Sequence, residues 1–317
     1  MAKKRFLELE AVNGDINLSL QRFQKLAVAG ETGSGKSTLL KMMGGLAQPA
    51  SGRVLFEEVR VEGPDEKLIP GHPGIVYLSQ HFELATHLRV EQVLEYANQL
   101  KEKEAGQLYE VCKIAHLLQR KTNELSGGEK QRIALAKLLV TAPRLLLLDE
   151  PFSNLDMIHK AMLKQVIRDV SEKLKITTIL VSHDPLDTLS WAEEIVIMKD
   201  GHIVQHDTAR NIYNHPVNAY VAGLFGRFTT ITADWKEVWK RLPVTLTEQP
   251  EVFLRPEQLA ITRDRKGALR GVVNHVYFMG GYEEAEVQIA DNVLLVRVNE
   301  TTVEAGESVW VAVKEGR

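Results

Sequence analysis

Gly30-Glu31-Thr32-Gly33-Ser34-Gly35-Lys36-Ser37 follows the apolar run Leu26-Ala27-Val28-Ala29 and opens a stretch, Lys36 to Leu46, with helical spacing. Strand, glycine-rich loop and helix, in that order, form the setting in which this octapeptide cradles phosphate. Glycines let successive backbone N–H groups turn inward around the β- and γ-phosphates, and the helix start adds the positive end of its dipole. Lys36 supplies a mobile cation and Ser37 a hydroxyl for Mg²⁺. Gly30, Glu31, Thr32, Gly33, Ser34, Gly35 and Thr38 complete the expected phosphate-binding lining. A glycine turn before a surface helix is the plainer alternative, and the flanking strand and helix weigh against it. The loop by itself leaves kinases, GTPases, helicases and motor ATPases open.

Outward from the loop, residues 5 to 30 alternate apolar and polar positions and read as strands joined by an Asn13-Gly14 turn. Gly74 to Leu78 is a short apolar run, and Val90 to Leu118 is helical in spacing, rich in Glu, Lys and Gln. Arg144 to Leu148, Ile176 to Val181 and Ile195 to Met198 are β-rich runs separated by helical patterns, the alternation of a mostly parallel α/β sheet. Leu145 to Leu148 runs straight into Asp149-Glu150, two acids at a strand's C-terminal end, where ligands of open α/β sheets bind. Asp149 is the candidate to hold Mg²⁺ through water. Glu150 is the candidate to polarise an attacking water. Beyond Thr229 the pattern becomes short β runs, among them Gly271 to Tyr277, Ala285 to Ile289 and Val293 to Val298.

The length of 317 residues fits about two domains. A net charge of -3 offers no basic field for nucleic acid, and Lys3-Lys4-Arg5 reads as a solvated chain end. One cysteine, Cys112, excludes an intramolecular disulfide framework and reads as an inert helix residue. No apolar run approaches the roughly 20 residues of a membrane span, and the charged start lacks a secretory h-region. A cytoplasmic protein is the expectation.

Leu125-Ser126-Gly127-Gly128-Glu129-Lys130-Gln131-Arg132, just before a helical run, resembles the signature sequence of ABC-transporter ATPases. Physically, Ser126, Gly127 and Gly128 at a helix start offer a hydroxyl, exposed amides and a dipole, hence an anion site. The resemblance implies further roles in chain order. Gln80 matches the Q-loop glutamine, which touches Mg²⁺ near the docked membrane subunits; Ser153-Asn154-Leu155-Asp156 resembles the D-loop; His183 matches the switch histidine near the γ-phosphate, which with Lys36 and Glu150 makes up the catalytic set. Mg²⁺ then falls to Ser37, Gln80 and Asp149, and Asp156 joins the nucleotide-binding residues.

Two departures stand out. The family usually stacks adenine on an aromatic residue upstream of the loop; here the segment is shortened to Asn13-Gly14, and the only aromatics before Lys36 are Phe6 and Phe23. Pro185 also follows His183-Asp184 where the family often has Gln or Glu. Gly201 to Gln205, Ile212 to Pro216 and Leu254-Arg255-Pro256-Glu257 resemble importer ATPases with a C-terminal TOBE-type domain.

The expected fold is therefore an α/β P-loop NTPase cassette over residues 1–228, with a helical subdomain near 86–140, followed by a small all-β OB/TOBE-like domain at 229–317. The resemblance implies ATP and Mg²⁺ as cofactors and ATP hydrolysis as the activity. It implies an ATP-sandwich homodimer, integral membrane permease subunits and a substrate-binding protein as partners, with no nucleic acid. It places the chain in the cytoplasm, peripheral on the inner face of the membrane. Soluble relatives acting on DNA or ribosomes usually carry two cassettes or a long coiled insert; this chain has one cassette and no such insert.

Overall fold

The computed structural model describes residues 5–80, 83–232, 234–235, 251–298 and 303–314; Lys3 and Lys4 of the basic start lie outside them. The chain divides into two compact units, Met1–Arg210 and Asn211–Arg317.

The first unit runs β1 (Leu7–Val12), β2 (Ile16–Leu20), β3 (Lys25–Ala29), α1 (Lys36–Met43), β4 (Arg53–Phe56), β5 (Val59–Arg60), β6 (Ile75–Leu78), α2 (Val90–Glu95), α3 (Glu102–Val111), α4 (Gly127–Leu139), β7 (Leu145–Asp149), α5 (Met157–Lys173), β8 (Thr177–Val181), α6 (Pro185–Leu189), β9 (Glu194–Lys199) and β10 (His202–Thr208). Six strands form one sheet in the order β10-β9-β3-β8-β7-β6. All pairs are parallel except β9 with β10, which turn at Asp200-Gly201 with both φ angles positive, as a two-residue hairpin with right-twisted strands requires. A second, antiparallel sheet has the order β2-β1-β4-β5.

β7 explains how the layers assemble. Its five residues are all buried, as in a strand covered on both faces. Leu145 and Leu147 enter a core with Val28, Leu39, Leu40 and Phe56 on the α1 side. Leu146 and Leu148 enter the opposite core with Ile133, Leu135, Val166 and Ile167 from α4 and α5. The helical stretch read from Val90 to Leu118 is broken: α2 and α3 are separate helices and Ala115–Leu117 is a single 3₁₀ turn. Helix α1 stops at Met43 rather than Leu46. Gly45 turns back with φ 70°, and the Leu46 N–H closes onto the carbonyl of Lys41 at 2.8 Å, a glycine-based C-terminal stop.

The second unit holds the end of α7 (Ala209–Asn214), then α8 (Ala219–Leu224), and the strands β11 (Thr229–Thr232), β12 (Glu251–Leu254), β13 (Leu259–Thr262), β14 (Leu269–Phe278), β15 (Glu283–Ile289), β16 (Asn292–Val298) and β17 (Ser308–Val313). β11 pairs with β12, and a five-stranded antiparallel sheet has the order β13-β17-β14-β15-β16. The sequence reading drew its boundary at 228, whereas the compact units divide after Arg210. Within the second unit, residues 211–228 are bound to the β region through Arg255. Its guanidinium is buried, lies 4.4 Å from the Tyr213 ring centroid, and donates to the carbonyls of Gly226 at 3.0 Å and Tyr213 at 3.4 Å.

Among the described residues no helix is long and apolar enough to cross a membrane. Cys112, directly after α3, is fully buried, and that burial pushes its thiol up to about 12. A thiol reacts as its thiolate, so Cys112 should resist maleimide at neutral pH and label only as the chain unfolds. Mass spectrometry across a urea series checks this, with fast labelling of native protein as the contrary result.

Candidate nucleotide site

The phosphate loop hangs between the C-terminal end of β3 and the N-terminus of α1. Gly30 passes so close to β9 that a Cβ there would lie 2.3 Å from the Met198 carbonyl oxygen. The β9–β10 turn buttresses the loop from the same side, its Gly201 N–H donating to the Ser34 carbonyl at 3.1 Å. Lys36 is buried and folds back into the cradle, with Nζ donating to the carbonyls of Gly30 at 2.9 Å and Glu31 at 2.7 Å. Burial lowers its pKa, against the opposing pull of Glu150, Asp149 and Glu31. A buried ammonium resting on backbone oxygens, inside a loop whose three glycines all stand at positive φ, fits a polyphosphate. Ser34 is buried in the loop, and Thr32, Gly33 and Thr38 are exposed at its rim and on the first turn of α1.

Across from the loop, β7 delivers its acids. Asp149 is buried; its Oδ1 accepts from Ser37 Oγ at 2.9 Å, and its Oδ2 accepts from the Tyr77 hydroxyl at 2.6 Å. Glu150 stands at φ 48°, an uncommon setting for a residue with a side chain. It is fixed by its N–H on the Val181 carbonyl at 3.1 Å and by Ser153 Oγ on its own carbonyl at 2.8 Å. Its Oε2 lies 2.9 Å from His183 Nδ1. His183 is well exposed on the loop after β8, the next strand in the sheet. That loop is pinned at both sides: Asp184 caps α6, and Lys160 of α5 bridges to Asp184 at 2.5 Å and Asp187 at 3.0 Å. Pro185 occupies the first turn of α6, where a missing N–H costs nothing, so the departure noted at this position leaves the histidine in place.

Lys36, Ser37, Asp149, Glu150 and His183 thus converge at the C-terminal edge of one sheet. Gln80 lies exposed just past β6 at the same edge. Ser126, Gly127 and Gly128 have other neighbours. Ser126 caps α4, exchanging hydrogen bonds with Glu129. Asp156 caps α5 through Oδ1 on the His159 N–H at 2.9 Å, while its Oδ2 meets His159 Nδ1 at 2.6 Å. That imidazole lies against Gly128, where a Cβ would come within 2.4 Å of the ring.

Two residues at these sites carry no local sequence signal. Tyr77 lay inside an apolar run, and only the pairing of β6 with β7, which sets Tyr77 opposite Leu147, reveals that it shares a face with Asp149 two residues on. Burial first, and then its bond to Asp149, raise the Tyr77 pKa well above the ordinary value, so the hydroxyl stays protonated and donating. His159 sits three residues after the D-loop aspartate, a helical spacing without chemistry until Gly128 is seen beside it. Beyond Tyr77, a groove of about 460 Å³ is lined by Leu46, Ile69, Pro70, His72 and Val76 together with Tyr77 itself.

The ABC transporter family profile matches residues 14–153, and the TOBE domain profile matches residues 252–317. The sulfate/thiosulfate import ATP-binding protein CysA of Synechococcus elongatus is 31% identical over 328 residues, covering 99% of this chain and 93% of that one. This chain belongs to the ATP-binding subunits of ABC transporters. It is an ATPase. The spermidine/putrescine import ATP-binding protein PotA of Borrelia garinii subsp. bavariensis is 29% identical over 316 residues, covering 93% and 89%. Among solved structures, CbiO1 from Clostridium perfringens, part of an ABC transporter complex, superposes with a TM-score of 0.57 at 25% identity over 66% of this chain and 90% of that one.

Neither upstream aromatic of this cassette lies at the phosphate loop. Phe6 is buried against Phe56, with ring centroids 4.9 Å apart. Phe23 precedes β3, its N–H on Thr177 Oγ1 at 2.8 Å, so the length of β3, at roughly 3.3 Å per residue, separates it from the loop. With no phenylalanine to stack on the base, ATP and GTP should compete within about tenfold, since a stacking contact is worth about 1 kcal/mol. Competition titration is the check; an ATP preference of several hundredfold would mean that another group holds the base. The Gly128 contact predicts a second asymmetry. Gly128→Ala should destabilise by about 1 to 3 kcal/mol through overpacking on His159, while a Cβ at Gly127 meets nothing within 4 Å. Paired urea melts of the two alanine variants measure the difference.

Proposed function

We propose that this cassette is the engine of an importer, working as a homodimer in which Mg·ATP is sandwiched between the phosphate loop of one copy and the Ser126–Gly128 loop of the other. The observation that carries the reading is the separation of contacts within one chain: Lys36, Ser37, Asp149, Glu150 and His183 converge, while Ser126 bonds to Glu129 of α4 and Gly128 meets His159 of α5. The second half of the anion site then comes from a second copy. ATP glues the two chains, and hydrolysis releases them.

In this site the hydroxyl of Ser37 and the carboxylate of Asp149 are hard oxygen donors suited to Mg²⁺, with Gln80 completing the set from the end of β6. Bound Mg²⁺ would neutralise charge on the phosphates. Lys36 leaves the carbonyls of Gly30 and Glu31 for the β- and γ-phosphates. Glu150 polarises the water that attacks the γ-phosphate, and His183, within hydrogen-bond reach of Glu150, is placed to contact that phosphate. Cassette closure moves separate permease subunits, so the chain works at the cytoplasmic face of the membrane. A substrate-binding protein delivers the solute on the far side. Relatives of almost equal identity are named for sulfate or for polyamines, which fits a solute chosen by those other subunits. A regulatory role for the β domain at 229–317 is part of the same proposal.

Glu150→Gln should bind ATP and accumulate as the ATP dimer while turnover falls about a hundredfold or more, the usual weight of a general base. Phosphate release and gel filtration measure both. The in-trans arrangement is tested by mixing two chains, Lys36→Ala and Ser126→Arg, each unable to form the homodimer with ATP. The mixture contains one site with an intact Lys36 and an intact Ser126 from different copies. An ATP-dependent mixed dimer, detected with one chain labelled, is the expected outcome; its absence with both variants folded removes the sandwich.

A further inference from the structure

We propose that Tyr77 is a positioning residue that holds Asp149 in its cation-binding pose. The inference rests on the reading of Asp149 as the Mg²⁺ carboxylate. Two observations meet at this one side chain.

First, the hydroxyl of Tyr77 reaches Asp149 Oδ2 at 2.6 Å, while Oδ1 is engaged by Ser37 at 2.9 Å. With a donor on each oxygen, the carboxylate cannot rotate about its terminal torsion without losing a bond. Loss of a partner that orients a ligating carboxylate commonly costs about 10- to 100-fold in metal affinity. Second, the placement follows from the sheet. β6 lies at the edge beside β7, with Tyr77 opposite Leu147 and Leu78 opposite Leu148. Tyr77 therefore points to the α1 side with Leu147 and Asp149.

Tyr77→Phe removes the hydroxyl and keeps the ring. Mn²⁺ serves as the probe for the cation, read by electron paramagnetic resonance in the presence of ATP, and ATP binding in EDTA serves as the metal-independent control. The expected result is a Kd for Mn²⁺ about tenfold weaker, with ATP binding in EDTA unchanged and the thermal midpoint close to that of the parent. Equal Mn²⁺ affinity in the two proteins overturns the positioning role. Asp149→Asn is measured alongside: if it too binds Mn²⁺ normally, the Mg²⁺ reading of Asp149 has failed, and not only the role of Tyr77.

Discussion

A lysine ammonium taken out of water is the constraint around which the first unit is arranged. Removing such an ion from solvent costs several kcal/mol, and the bonds of Lys36 to the carbonyls of Gly30 and Glu31 offset only part of it. The remainder is met by acids opposite the loop, of which Glu150 and Asp149 act most strongly on Lys36. Those acids are there because β7 is buried on both faces and can end nowhere but at the edge where β3 also ends. In the proposed site, a polyphosphate anion entering the loop would replace the carbonyl partners of Lys36 with full charges.

The opposing side is held by backbone as much as by side chains. Glu150 and Asn154 both stand at positive φ, 48° and 62°, each at a cost of about 1 kcal/mol or more. Such conformations persist when their surroundings over-determine them, and the bonds to Val181 and Ser153 do so for Glu150. The result is a carboxylate whose direction is set by the chain itself, within 2.9 Å of His183 on the next loop. Two loops from neighbouring parallel strands need no long reach to meet.

Much of this was legible in the sequence because it depends on local order. The spacing of Gly30 to Ser37, the run into Asp149-Glu150 and the Ser126 cap each declare a strand end or a helix start without reference to distant residues. The β runs at 271–277, 285–289 and 293–298 were legible for the same reason, since alternation is local. What stayed hidden depends on pairing between distant segments. Tyr77 reads as one more apolar strand residue until β6 is laid against β7, and His159 reads as a surface helix residue until Gly128 is placed under its ring. The grouping of residues 211–228 was hidden too, because it turns on one buried arginine, Arg255, more than twenty residues later. The broken helices at 90–118 were missed for a different reason: helical periodicity continues through a turn that the chain does not follow.

The packing of α4 bears on how two sites in a dimer would work together. Its first turn carries Ser126 to Gly128, yet its anchors lie in the same chain's own catalytic edge. Buried Gln131 donates to the carbonyl of Pro151, the residue after Glu150, and Gly128 meets His159, whose ring is held by Asp156 at the end of the D-loop. Close-packed contacts transmit displacement because they have no slack. In the proposed cycle, a displacement at Glu150 would have two short routes to the start of α4, through Gln131 and through His159. If that start completes the partner's site, each chain would report the state of its own nucleotide to the nucleotide held by the other, and alternation between the sites would need no element beyond these three helix and loop contacts.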